Sequence, residues 1–215
     1  MIILNNSEYS EVLISKISKL RELREGSKSV AKGVIGNTLY KEDLFFISAL
    51  DRSVALLDGI ILMLTERNLT CAGILVRSQI DNCMRIFAAF IAENKMDFIN
   101  GFLNGKKICD FNDNRGKRMK DVVLRQRLKD YDSQIDDIYK KASGYVHFSD
   151  EAFYASVTTK ADYKIEFTVG IPVREELNKD LLTIADVFIH YTLLQNRLLK
   201  PVIESKMRVD KESNP

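Results

Sequence analysis

Apolar residues recur at three- and four-residue steps along most of the chain, the spacing that places them on one face of a helix. Val12, Leu13, Ile17, Leu20 and Leu23 predict a first helix over Glu8–Glu25, with Gly26 as its stop. A second helix over Lys41–Arg67 carries Leu44, Ile47, Leu50, Leu57, Ile61 and Leu64, with further large apolar residues around its circumference. Such a helix has no face to give to water and is expected at the centre of the fold. Thr70 is the expected cap of a third helix through Asn94, apolar on most sides by way of Ile74, Ile80, Met84, Phe87, Phe90 and Ile91. Two largely buried helices joined at Asn68-Leu69 predict an αα-hairpin core.

Beyond it the pattern shortens. Residues 95–104 read as a brief helix ended by Gly105, and 106–118 as a polar loop containing Asp113-Asn114-Arg115-Gly116. Two more short helices are expected at 119–130 and 133–143. Ala152–Thr159 and Tyr163–Gly170 are rich in β-branched and aromatic residues and flank Lys160-Ala161-Asp162, which predicts a β-hairpin. A last helix over Arg174–Glu204 carries a stripe of Leu177, Leu181, Ile184, Phe188, Tyr191, Leu194 and Leu198, and Pro201 is expected to kink or end it. The expectation is a mainly α, single-domain helical bundle over residues 1–207, with a small β-hairpin inserted before the last long helix and a frayed charged tail at 208–215. Helices two, three and seven would form its core.

Composition narrows the function classes. The chain has 215 residues, 46% hydrophobic and 29% charged, enough to bury a substantial core. Its formal net charge of +2 is too small for bulk electrostatic attraction to nucleic acid or membrane, so any basic site must be local. The longest apolar run, near Leu56–Leu64, is broken by Asp58 and falls short of the roughly 20 residues that span a bilayer. The start MIILNNSEYSEV lacks the charged n-region and long apolar stretch of a signal peptide. Three cysteines without CxxC spacing argue against a disulfide framework and for a cytoplasmic location. With only two histidines, a metal centre is not expected and no cofactor is implied.

The chemistry is concentrated on the third helix. Arg77, Asp81 and Arg85 fall at i, i+4 and i+8 in an otherwise apolar segment, so they line up on one face. Charges so placed must be paired or lie along a wet cleft, because an unpaired buried ion costs several kcal/mol. Two readings follow: an Arg-Asp-Arg ladder tying helices together, or an anion pocket in which Asp81 leaves guanidinium donors free. Ser78 and Asn82 would edge the same face. His147 lies in Gly144-Tyr-Val-His-Phe-Ser-Asp150, after a helix ended at Ser143-Gly144; in strand-like geometry it shares one side with Tyr145. Arg77, Asp81, Arg85, Tyr145 and His147 are thus the candidate ligand-binding set, with His147 as the catalytic residue if the protein is a ribonuclease. His190 reads as a partly buried core residue, and Cys71 and Cys83 as small core residues.

The runs "QIDNCMRIFAAFIAENKMDFINGFLNGKKI", "NDNRGKRMKDVVLRQRL" and "IYKKASGYVHFSDEAF" together are similar to a group of uncharacterised bacterial proteins that pair an Asp-Asn-x-x-Arg helix with a Ser-Gly-Tyr-Val-His-Phe-Ser segment. The resemblance covers about residues 70 to 170 and implies no function. More distantly, a helical bundle with an Arg/His polar site resembles the HEPN superfamily, many of whose members are metal-independent ribonucleases of toxin and phage-defence systems. That superfamily places an Arg a few residues before its His, whereas Lys140 and Lys141 stand there in this chain. The expectation is therefore a binding or interaction protein that takes an anionic ligand or a partner protein, with RNA and a second copy of the chain as further partners. An HEPN-like ribonuclease is the alternative.

Overall fold

The computed structural model describes residues 6–147, 157–159, 165–167 and 175–213. Among them seven α-helices account for nearly all regular structure: α1 Asn6–Ile35, α2 Lys41–Thr65, α3 Leu69–Ile91, α4 Lys95–Leu103, α5 Asp121–Leu128, α6 Ile135–Val146 and α7 Glu175–Ser213. Val157–Thr159 (β1) and Ile165–Phe167 (β2) pair antiparallel, with Val157 opposite Phe167 and Thr158 opposite Glu166. The remaining residues assigned to strands from the sequence lie outside the described residues.

Four long helices make the body, and side-chain pairs give their directions. Arg24 meets Asp58 and Gly59 meets Leu75, so α1, α2 and α3 run up, down and up through short links. Lys16 faces Asp186, Gly33 faces Ile203 and Asn37 faces Asp210, so α7 lies parallel to α1. It is also parallel to α3, where Gln79 and Asn82 reach Gln195. Parallel neighbours cannot be joined by a tight turn, so the chain needs a crossover. Residues 92–174 supply it, and α4, α5 and α6 belong to that connection.

The core therefore differs from the expected trio of helices two, three and seven. The first helix is a full member: Leu13, Ile17, Leu20, Leu23 and Val34 are buried. Gly26 does not end it. A helical glycine costs only about 1 kcal/mol, which the apolar residues on either side outweigh. The helix stops at Gly36, whose φ of 55° is the left-handed conformation that glycine adopts freely. Asn68, rather than Thr70, caps α3 by accepting the Cys71 N–H at 3.1 Å. Cys71 is exposed and only Cys83 is a core residue.

Neither does Pro201 end α7, which runs on to Ser213. Residues 208–213 are helical rather than a frayed tail, because the last turns have work at the α1–α2 link. The Lys206 ammonium bonds the Thr38 carbonyl and the buried Asp43 carboxylate, and Asp210 accepts the Asn37 N–H at 3.2 Å. Midway along the bundle a buried polar layer of Ser53, Gln79, Asn82, Thr192 and Gln195 joins α2, α3 and α7. Its hydrogen bonds fix the register of three helices whose apolar stripes alone would allow slippage. Asn82 belongs to this layer and donates to the Ala49 carbonyl at 2.8 Å, so it does not edge the arginine row.

Candidate polar site between α3 and α6

The arginine row faces the crossover. α6 packs antiparallel along α3, with Tyr145 against Gly73 and with Tyr139 and Ser143 against Arg77. At the other end of the row, Asp121 in the first turn of α5 meets Arg85. Arg77, Asp81 and Arg85 retain 18%, 22% and 25% of their side-chain exposure, so the face is sheltered yet reaches water.

Asp121 is the member that the sequence pattern does not reveal. Arg85 Nη2 donates to both Asp81 Oδ1 and Asp121 Oδ1 at 2.8 Å. Arg77 Nη1 stands 3.7 Å from Asp81 and its Nη2 3.6 Å from Asp121. Arg77 also donates to the Tyr139 hydroxyl and, through Nε, to Ser143 Oγ at 3.3 Å. The Tyr139 hydroxyl in turn donates a hydrogen bond to Asp121 Oδ2 at 3.0 Å. Arg52 of α2 approaches Asp81 Oδ2 at 3.7 Å from the solvent side. The guanidinium carbons of Arg77 and Arg125 both lie close to the Tyr139 ring, 3.8 and 4.0 Å from its centroid, within cation–π range. Arg125 and Lys129 in turn share Asp136.

The electrostatics follow from this geometry. Burial is the largest single influence on Asp121 and opposes its charge. Arg85 by charge and hydrogen bond, the Tyr139 hydroxyl and the charge of Arg77 together outweigh it and hold the carboxyl below its ordinary value of 3.8. Burial, joined by the bond to Asp121 and opposed by Arg77, raises the Tyr139 phenol, which stays a neutral donor. A depressed carboxyl stabilises the fold fully above its unfolded value and loses that contribution as pH falls through the lower folded value. Asp121→Asn should therefore lower the melting temperature at pH 6, and the gap to the unmodified protein should shrink once pH drops below about 4. A gap that stays constant from pH 6 to pH 2.5 would show that Asp121 is not held ionised by the arginines.

His147 and Tyr145 separate. The helix does not end at Gly144 but runs through Val146, with His147 as its C-cap. In helical rather than strand-like geometry Tyr145 and His147 point to different sides. Tyr139, Ser143 and His147 stand at i, i+4 and i+8, so His147 continues the row that faces Arg77; its backbone N–H bonds the Ser143 carbonyl at 3.3 Å. It is exposed and lies at the Arg77 end of the site. Arg85 is two turns away from Arg77 in the opposite direction, about 12 Å along α3. Tyr145 leaves the polar face and lies flat on α3 at Gly73, where an added Cβ would stand 2.3 Å from its ring.

Two other polar features are satisfied within the fold. In the 113–116 turn, the buried Asp113 Oδ1 accepts the N–H groups of Arg115 and Lys117, and its Oδ2 binds Arg127 Nη1 at 3.0 Å. The backbone donors that could have cradled a phosphate are filled by the loop's own carboxylate. His190 is half-exposed rather than a core residue, with Nε2 3.4 Å from Asp132, which also accepts the buried Tyr191 hydroxyl at 2.6 Å. Among the described residues no group of three or more His, Cys, Asp and Glu side chains is arranged to hold a metal ion, and no helix is long and apolar enough to cross a membrane. No family model, no curated protein and no solved structure matches the chain.

Proposed function

We propose that this chain is a helical binding module that recognises an anionic group on the face between α3 and α6. The observation that carries the reading is the way Arg85 is engaged. Both of its carboxylate partners are reached through Nη2, and among the described residues its Nε and Nη1 make no hydrogen bond. That leaves the Nε–H and Nη1–H donors of a guanidinium already positioned by two carboxylates; they point to different sides, so each can take a single oxygen of an anion such as a phosphate or carboxylate. Arg52, half-exposed and held only loosely by Asp81, supplies a second cation beside it. The two carboxylates offset Arg77 and Arg85, so the attraction left for a ligand is local and salt-sensitive.

Titration with inorganic phosphate at low ionic strength tests the reading. Arg85→Ala should weaken binding by about tenfold, equivalent to one charge-assisted hydrogen bond, and Arg85→Lys should recover part of it. Equal affinity of the Arg85→Ala variant and the unmodified protein would defeat the proposal.

A ribonuclease reading is favoured by a separate observation, the helical spacing of Tyr139, Ser143 and His147, the first two of which are bonded by Arg77. Here His147 would exchange the proton and Arg77 would stabilise charge on the scissile phosphate. Incubation with single-stranded and structured RNA without added metal separates the two. Cleavage that His147→Ala abolishes would replace the binding module by the enzyme, whereas binding without cleavage leaves the binding module standing.

A further inference from the structure

A second site lies on the other side of α6. α6 packs along α3 but makes no extended backbone contact with α7. The wedge between them is a cleft of about 420 Å³. Its walls are Val76 of α3, Ile138, Ala142 and Tyr145 of α6, and Ile184 and Val187 of α7. Gly73 lets the Tyr145 ring lie directly on the α3 backbone and close one side. The polar lining consists of Gln134, Lys141, Asp180 and Thr183. Asp180 has an interaction of its own, and Thr183 Oγ1 donates to the Lys179 carbonyl. Lys141 is exposed, and among the described residues no hydrogen bond or ion pair engages its ammonium.

From these groups we infer that the cleft binds a medium-chain carboxylate, with the chain against the apolar walls and the head group at Lys141. Size and charge both select this class. At about 30 Å³ per water the cleft holds roughly fourteen water volumes, a molecule of about that many heavy atoms. An aliphatic tail matches a lining of Val, Ile and Ala with one ring. The one unengaged cation among the lining residues selects an anionic head over an alcohol or an amine. The site is independent of the arginine row, since Tyr145 faces α3 at Gly73 whereas Tyr139 and Ser143 face Arg77.

Calorimetric titration with butyrate, octanoate, decanoate and decanol, all below their aggregation limits, tests the inference. One decanoate should bind per chain, and affinity should rise with each methylene added between butyrate and decanoate by a factor approaching four, the ratio for burying a methylene. Lys141→Glu should weaken decanoate at least threefold and leave decanol unchanged. Val187→Trp, which fills the cleft, should weaken both by tenfold or more, with circular dichroism confirming an intact helical fold. If that variant does not fold, the methylene series and Lys141→Glu decide alone. Failure to bind decanoate, equal affinity for butyrate and decanoate, or loss of decanol binding in Lys141→Glu would each overturn the assignment.

Discussion

Asp43→Ala should destabilise the fold by about 3–5 kcal/mol, the loss expected when one member of a buried ion pair is removed and the other stays. Asp43 is fully buried and the Lys206 side chain retains only 6% of its exposure. The pair closes the bundle where α2 begins and α7 approaches its end, and Asp43 Oδ2 also accepts the Tyr40 N–H at 2.6 Å. Without the carboxylate, the ammonium keeps the Thr38 carbonyl at 2.5 Å and the Tyr40 ring at 4.0 Å, neither of which carries a full negative charge. Urea denaturation reads the loss directly. Asp43→Ala combined with Lys206→Met should regain much of it, because replacing both charges by apolar groups removes the stranded ion. A single variant as stable as the unmodified protein would show that the pair is hydrated.

The residues that make this pair are 163 positions apart, and no local pattern connects them. The same reason explains most of what the sequence pattern misses. Periodicity identifies a helix and its buried stripe, so α2, α3 and α7 are legible from Leu50, Ile80 and Phe188, all buried. Helix ends are legible only where backbone geometry compels them. Gly36 and Gly105 adopt positive φ and terminate helices, whereas Gly26 and Gly144 sit in helix interiors at a modest cost that packing outweighs. Reading Gly26 as a stop shortens α1 by about a third and hides its place in the core. Reading Gly144 as a stop turns His147 and Tyr145 into strand neighbours, although Tyr139, Ser143 and His147 carry a visible i, i+4, i+8 spacing.

The arginine row itself was legible because its signal is local: three charges at helical spacing within an apolar segment. Its partners were not. Asp121 opens a short helix after a polar loop and differs in no sequence feature from Asp110 or Asp130, and only the packing of α5 and α6 on α3 brings it to Arg85. A tie between helices and an anion site, the two roles that the pattern of the row allows, are not mutually exclusive. Asp121 completes the tie, while Nε and Nη1 of Arg85 make no hydrogen bond among the described residues.

Asp81→Ala separates these two roles because it should move them in opposite directions. Asp81 lies among Arg52, Arg77 and Arg85, and its Oδ1 takes the 2.8 Å bond from Arg85. Its removal leaves Arg77 and Arg85 sharing Asp121 as their one carboxylate and Arg52 without an ion-pair partner among the described residues. A hydrogen bond to a charged group contributes about 1.5–3 kcal/mol, and partial solvent screening keeps this loss near 2 kcal/mol rather than the value for a fully buried pair. Asp121→Ala should cost a similar amount. The double variant should depart from the sum of the two by at least 0.5 kcal/mol, because both carboxylates share Arg85 Nη2. Anion affinity should rise at the same time, since Asp81→Ala frees donors and removes a competing negative charge. Millimolar phosphate should then restore more of the melting temperature in Asp81→Ala than it adds to the unmodified protein, by linkage of binding to folding. A loss of stability with no gain in phosphate response would reduce the row to a tie between α3, α5 and α6. An unchanged melting temperature would mean that water, rather than Asp81, balances the arginines.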